Sequence, residues 1–285
     1  MSALPFRILP GADGLRLRTF TWGPAEGPRV LLLHGFPESG QAWGPVAAAL
    51  AARGFSVFAP DLRGYAGSDR PTGTAAYALP RLGADIEALV GAIGEVRLLA
   101  GHDWGGAIAW WLATHRPGLA PAFAVLNCAH PAVLRAAAFS DLGQLRRSWY
   151  ILAFQASGLA EALLAAGGFR ALRRALVDSA RPGTFPPAAL AGLVGDWERP
   201  GALTAMLSYY RAAFQAPPDW GNAPITAPFT LLWGEADHVF LPRLADESLA
   251  RTAGGRRVPF PGLTHWLHHE DPSAVAAALA AAVAP

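Results

Sequence analysis

The stretch that most constrains this chain is Leu98 to Gly106, which reads Leu-Leu-Ala-Gly-His-Asp-Trp-Gly-Gly. An apolar strand pattern, Val96 to Ala100, runs directly into Gly101-His102-Asp103-Trp104-Gly105, and a helical pattern, Ala107 to His115, follows at once. A strand that turns into a helix within so few residues needs strained backbone angles at the tip. Glycine on either side removes the Cβ that would clash with the neighbouring strand or helix. The Asp103 side chain is thereby held above the sheet edge, beside a helix N-terminus that favours an anion.

The rest of the chain supplies the surroundings of such a turn. Leu15–Trp22 and Arg29–Leu33 read as strands joined through Gly23-Pro24 and Gly27-Pro28, and the second ends in His34-Gly35-Phe36-Pro37-Glu38. Helical spacing covers Gln41 to Arg53 and Leu79 to Ile93, with a strand at Phe55–Pro60 between them. The loop Asp61-Leu62-Arg63-Gly64-Tyr65-Ala66-Gly67-Ser68-Asp69 follows that strand, and Arg63 and Asp69 are expected to fix it through hydrogen bonds. Ala122–Cys128 is another strand. Continuously apolar strands alternating with helices predict a mostly parallel sheet covered on both faces.

After His130-Pro131 the alternation stops. From Val133 to about Pro218 the pattern is helical, broken at Gly167-Gly168, Pro182-Gly183, Pro186-Pro187, Pro200-Gly201 and Pro217-Pro218. Strand character returns at Phe229–Trp233 and runs into Gly234-Glu235-Ala236-Asp237-His238. A helix near Pro242–Thr252, a strand near Arg256–Pro259, the loop Gly262-Leu263-Thr264-His265-Trp266-Leu267-His268-His269 and a terminal helix over Ala274–Ala284 complete the chain.

Composition excludes several classes. With 52% hydrophobic and 15% charged residues the chain is globular. A net charge of +2 without a basic run gives no nucleic-acid footprint. There is no lysine, which removes Schiff-base chemistry. The single Cys128 leaves no intrachain disulfide and no cysteine-based zinc site. Met1–Gly14 lacks a signal-peptide pattern, and Ala274–Ala284 falls short of the about 20 residues a bilayer span needs. The expectation is a cytoplasmic protein with no membrane partner.

The Gly101–Gly105 turn is the strand-turn-helix of a nucleophile elbow with Asp103 at the tip. Together with His34-Gly35-Phe36-Pro37 it resembles the α/β-hydrolase superfamily over nearly the whole chain, and within it the Asp-nucleophile branch of epoxide hydrolases and haloalkane dehalogenases. The resemblance implies an α/β-hydrolase fold with a core of 1–131 and 223–285. It places a helical cap over 132–222, inserted after the sixth strand. It also implies an order of nucleophile, acid and histidine, here Asp103, Asp237 and His265. Some relatives carry the acid after the preceding strand, but Asn127-Cys128-Ala129-His130 holds no carboxylate. Glu235 is the alternative acid, and His268 or His269 the alternative base. The oxyanion-hole amides implied are those of Phe36 and Trp104.

A carboxylate in place of serine changes the chemistry. It displaces a leaving group from saturated carbon to give an alkyl ester, which water activated by the histidine then hydrolyses. Esterase, lipase and peptidase activities are disfavoured. Ser208-Tyr209-Tyr210-Arg211 resembles the cap motif in which the Tyr before Arg donates a proton to the epoxide oxygen, so Tyr210 is the expected donor. The family's second motif reads Ala153-Phe154-Gln155 here, with Tyr150 one helical turn earlier as the candidate second donor. Trp149, Phe154, Leu159, Trp197 and Phe214 suggest an apolar pocket.

The resemblance therefore implies hydrolysis of a hydrophobic epoxide to a vicinal diol, with water as the only other reactant and no cofactor or metal. The clustered histidines lack a zincin spacing. A haloalkane dehalogenase on the same scaffold and a non-catalytic small-molecule-binding protein are the alternatives, and a homodimer is left open. Phe36 departs from the Asn or Glu common in haloalkane dehalogenases. Trp104 departs from the Arg that follows the nucleophile in fluoroacetate dehalogenases.

Overall fold

A computed structural model describes residues 5–283; Met1–Leu4, and Ala284 at the end of the helix expected from the sequence, lie outside the described residues. The first half of the chain lays down β1 (Phe6–Pro10), β2 (Arg16–Trp22), β3 (Arg29–Leu33), α1 (Gly44–Ala51) and β4 (Ser56–Pro60). α2 (Leu79–Ile93), β5 (Leu98–His102), α3 (Trp104–His115) and β6 (Phe123–Leu126) follow. Five helices come next: α4 (Pro131–Ser140), α5 (Leu142–Ala153), α6 (Leu159–Ser179), α7 (Pro187–Trp197) and α8 (Ala202–Gln215). The chain then returns through β7 (Phe229–Gly234), α9 (Arg243–Leu249), β8 (Arg256–Phe260), α10 (Leu267–Glu270) and α11 (Pro272–Ala280).

The eight strands form one sheet in the order β1-β2-β4-β3-β5-β6-β7-β8. β2 pairs antiparallel with β1 and with β4, and every other pairing is parallel. The run Val30-Leu31-Leu32-Leu33 has no polar position because both faces of β3 are covered. Leu31 and Leu33 face a core shared with α2 and α3, whereas Val30 and Leu32 face the core under α1 and α11. Strand β1 was not legible in the sequence. It is a mostly exposed edge strand whose Phe6 and Ile8 are half exposed, so it carries no buried alternation.

α6 breaks at Ala166–Phe169, where Gly167, Gly168 and Phe169 all take positive φ. α8 is tied to the sheet side by Tyr209, whose hydroxyl donates to the Arg63 carbonyl at 2.7 Å, and α7 by the Trp197 indole, which donates to the Pro37 carbonyl at 2.7 Å. Arg63 is buried against Asp85, with its Nε and Nη2 both 2.6 Å from that carboxylate, and Asp69 accepts from Arg16. Both residues therefore pin the loop after β4. Among the described residues no helix is long and apolar enough to cross a membrane.

Candidate active site

The parallel strands end on one edge, and the site assembles there from the loops after β3, β5, β6, β7 and β8. Asp103 sits between β5 and α3 with φ 48° and ψ −115°, a conformation an L-residue adopts only when its surroundings impose it. The surroundings leave no alternative. A Cβ on Gly101 would lie 2.1 Å from the Gly105 carbonyl oxygen, and one on Gly105 would lie 2.2 Å from that of Leu33.

The Asp103 carboxylate is held in a defined orientation. Its Oδ1 accepts the Phe36 backbone N–H at 2.9 Å. Trp104 opens α3, so its amide belongs to the unpaired first turn of that helix. Oδ2 faces His265, with 3.9 Å to Nε2. On the far side of the imidazole, Nδ1 lies 3.0 Å from Asp237 Oδ2. Asp103, His265 and Asp237 are thus brought into one line, although they lie on three separate loops.

Asp237 is almost fully buried and its carboxylate is saturated. Oδ1 accepts the amides of Val239 at 2.5 Å and Phe240 at 3.1 Å, and Oδ2 accepts the Asn127 side-chain amide at 2.5 Å. Burial opposes its ionisation, but His265, Asn127 and the Val239 amide outweigh that and hold its pKa below the ordinary value. Burial likewise opposes protonation of His265, yet Asp237, then Asp103 and Glu38, raise its pKa above the ordinary value. Glu235 is exposed and pairs with Arg257, so it does not reach the imidazole.

Tyr210 and Tyr150 stand over this line from the inserted helices. The Tyr210 ring packs edge-on against Phe36 at 5.4 Å and Trp104 at 5.0 Å between centroids, and Tyr150 lies 6.0 Å from Tyr210. Burial pushes both hydroxyls well above the usual phenol range, and the Asp103 charge adds to it. They remain protonated donors at neutral pH. Tyr209 turns away, its hydroxyl spent on Arg63.

The expected apolar wall is only partly realised. Phe154 packs on Phe36 and Tyr210, 5.7 and 5.0 Å between centroids. Trp149, Leu159 and Phe214 are more than half exposed and face solvent, because the helices that carry them bury their other faces. Trp197 is buried but serves as the tie to Pro37.

Two groups escaped the sequence reading. Asn127 follows β6 with φ 38°, accepts the Gly234 amide on its Oδ1 at 2.8 Å and donates to Asp237. A non-glycine residue able to tolerate left-handed backbone at a strand end was the available signal. Glu38 is the other. It lies buried under the loop that carries His265, where His268 and His269 close on it and His102 approaches it. His268 and His269 lie on the short α10, ahead of the terminal helix.

This fold and site define an α/β hydrolase. The family model for the alpha/beta hydrolase fold matches residues 28–272, and the chain belongs to that family. It is 34% identical over 264 residues to the AB hydrolase superfamily protein YfhM of Bacillus subtilis, covering 92% of each chain. It is 33% identical to Epoxide hydrolase A of Mycobacterium tuberculosis, covering 96% of each. A solved structure described among novel epoxide hydrolases from metagenomes of hot environments superposes with a TM-score of 0.86 at 29% identity, covering 99% of each chain. Within the family the chain is epoxide hydrolase-like.

Proposed function

We propose that the chain is an epoxide hydrolase that opens a hydrophobic epoxide through an alkyl ester on Asp103, beneath a cap formed by residues 132–222. The observation that carries this reading is the split orientation of one carboxylate, with Oδ1 on the Phe36 amide and Oδ2 facing His265 Nε2.

In the first step Oδ2 attacks an epoxide carbon and the ring C–O bond breaks. The departing oxygen takes its proton from Tyr210, with Tyr150 as the second donor. In the second step His265 Nε2 removes a proton from water, and the hydroxide adds to the ester carbonyl carbon. The oxyanion forms on Oδ1, between the Phe36 and Trp104 amides, where one such donor is worth roughly 3–4 kcal/mol. Collapse expels the diol and restores Asp103, and the imidazolium proton returns to the tyrosinate. Asp237 stabilises the charged imidazole throughout. Phe36, Trp104 and Phe154 give the reacting centre an apolar wall, which suits a hydrophobic substrate.

A His265→Gln variant forms the ester and cannot hydrolyse it. Mixed with aryl and alkyl epoxides and, separately, with haloalkanes, it is read by intact and peptide mass. A gain on the Asp103 peptide equal to the whole epoxide supports the proposal. An adduct from haloalkanes alone transfers the assignment to a dehalogenase. No adduct from a folded variant, with no turnover by the wild type, leaves a binding protein.

A further inference from the structure

Below the base loop lies a second set of ionisable groups that the proposed reaction does not use. Glu38 comes from the loop after β3, His102 from the end of β5 and His268 from α10, and each is at most 2% exposed. Glu38 Oε2 is 3.1 Å from His268 Nε2 and 3.5 Å from His102 Nδ1. The three donor atoms all lie within 4.8 Å of one another.

The hydrogen bonding of His102 leaves an imbalance. Its Nε2 is 2.9 Å from the His265 carbonyl oxygen, which can only accept, so Nε2 carries the hydrogen. Its Nδ1 faces the Glu38 carboxylate at 3.5 Å and has no hydrogen-bond partner. A buried ring nitrogen aimed at a buried carboxylate without a hydrogen bond is an arrangement that a bound cation satisfies.

We infer that Glu38, His102 and His268 form a binding site for one divalent transition-metal ion of the zinc class. Tetrahedral bonds of about 2.0–2.2 Å put neighbouring ligand atoms roughly 3.3–3.5 Å apart, close to the two separations at Glu38 Oε2. Two imidazoles and a carboxylate suit zinc, cobalt or nickel better than magnesium or calcium. The outer contacts of two of the three ligands fit as well, whereas Nδ1 of His268 is buried without a partner. A ligating histidine commonly donates its other N–H to a backbone carbonyl, as His102 does to His265, and a ligating carboxylate is itself hydrogen-bonded, as Glu38 Oε1 is by His269 Nε2 at 2.5 Å.

His269 separates the site from the surface. It lines a surface cavity of about 290 Å³ together with Arg181, Pro182, Gly183, Thr184 and Glu270. Asp103 is not among the donors, so the ion is a clip and not a reactant. It joins the loop that carries Phe36, the strand end before Asp103 and the segment after His265.

The test uses the full-length protein, stripped with chelator and dialysed, at pH 8. Cobalt(II) is the optical probe, with zinc as competitor. One equivalent of cobalt with the visible bands of a four-coordinate ion, displaced by zinc, is expected. Binding at least tenfold weaker in His268→Gln and unchanged in His115→Ala is expected too. Zinc at a hundredfold excess over its Kd raises Tm on the order of 5 °C. X-ray absorption of the zinc-loaded wild type, which depends on no variant, counts two imidazoles and one carboxylate. No coordinated cobalt in the wild type, cobalt binding that survives His268→Gln, or a different ligand count overturns the inference.

Discussion

Asn127 donates its side-chain amide to Asp237 Oδ2 at 2.5 Å, and the same oxygen faces His265 Nδ1 at 3.0 Å. The two residues follow neighbouring parallel strands, β6 and β7, and stand 110 positions apart in the chain. The strand end without a carboxylate therefore still reaches Asp237, as its hydrogen-bond donor. The proposed acid has two adjacent anchoring points, of which this chain fills one with Asp and the other with Asn.

That adjacency predicts a transferable charge. Asp237→Asn is expected to lower the hydrolytic step by about 10³–10⁴-fold, the scale seen when a triad acid becomes an amide. Adding Asn127→Asp returns a carboxylate to the same hydrogen-bonded pair, and aspartate tolerates the φ of 38° found there. The double variant is expected to recover at least about tenfold of the loss. Single-turnover ester hydrolysis measures it, and a double variant no faster than Asp237→Asn counts against the shared site.

Three neighbouring tyrosines are expected to separate by assay. Tyr210→Phe removes the donor that stands against Trp104 and lowers ester formation by about 10²-fold or more. Tyr150→Phe gives a smaller loss if one donor suffices, and an equal loss if both protonate the oxygen. Tyr209→Phe leaves the Arg63 carbonyl without its partner and costs about 1 kcal/mol of stability with turnover unchanged. Urea unfolding and stopped-flow kinetics on the three variants separate the effects. A kinetic loss in Tyr209→Phe would reverse the assignment.

What could be read from the sequence was whatever the backbone itself encodes. The Gly101–Gly105 turn and the His34–Pro37 loop are local, and their glycines stand where a Cβ cannot fit. Tyr209 and Tyr210 differ by one position, about 100° around a helix, so a motif distinguishes them where composition does not. The Glu38 cluster and the Asn127–Asp237 pair were hidden because their members come from loops far apart in the chain. Trp149 and Phe214 were misjudged for a different reason. Helical spacing shows that a residue is on a helix, and the partner elements decide which face is buried. β1 went unseen because a mostly exposed edge strand needs no apolar alternation.

Gly35 sets the distance between the Phe36 loop and Asp103, the proposed nucleophile. A Cβ there would lie 2.4 Å from Asp103 Cβ and 2.8 Å from its Oδ1. Gly35→Ala therefore displaces the carboxylate from the Phe36 amide. Both the attack and the oxyanion depend on that contact, so kcat is expected to fall about 10²-fold. The measurement is kcat alongside Tm. Full activity in a folded Gly35→Ala protein would detach the Phe36 amide from the reaction.

His130 predicts an acid limit to stability that is separate from the site. It lies between Trp110 and Trp220, 5.2 and 4.6 Å between ring centroids, and its Nδ1 accepts the Ala132 amide at the start of α4. Burial, with Arg251 adding to it, lowers its pKa to about 3 from an ordinary 6.5. The unfolded chain thus binds a proton in a range where the folded chain does not. The stability held by neutral His130 is complete above pH 6.5 and is lost as pH falls from there towards 3. His130→Asn keeps a capping oxygen and removes the titration. Urea midpoints from pH 4 to 8 are expected to fall less steeply on the acid side in the variant than in the wild type. Parallel curves would mean that His130 protonates as readily in the folded protein as in the unfolded chain, and that the carboxylates alone set the acid limit.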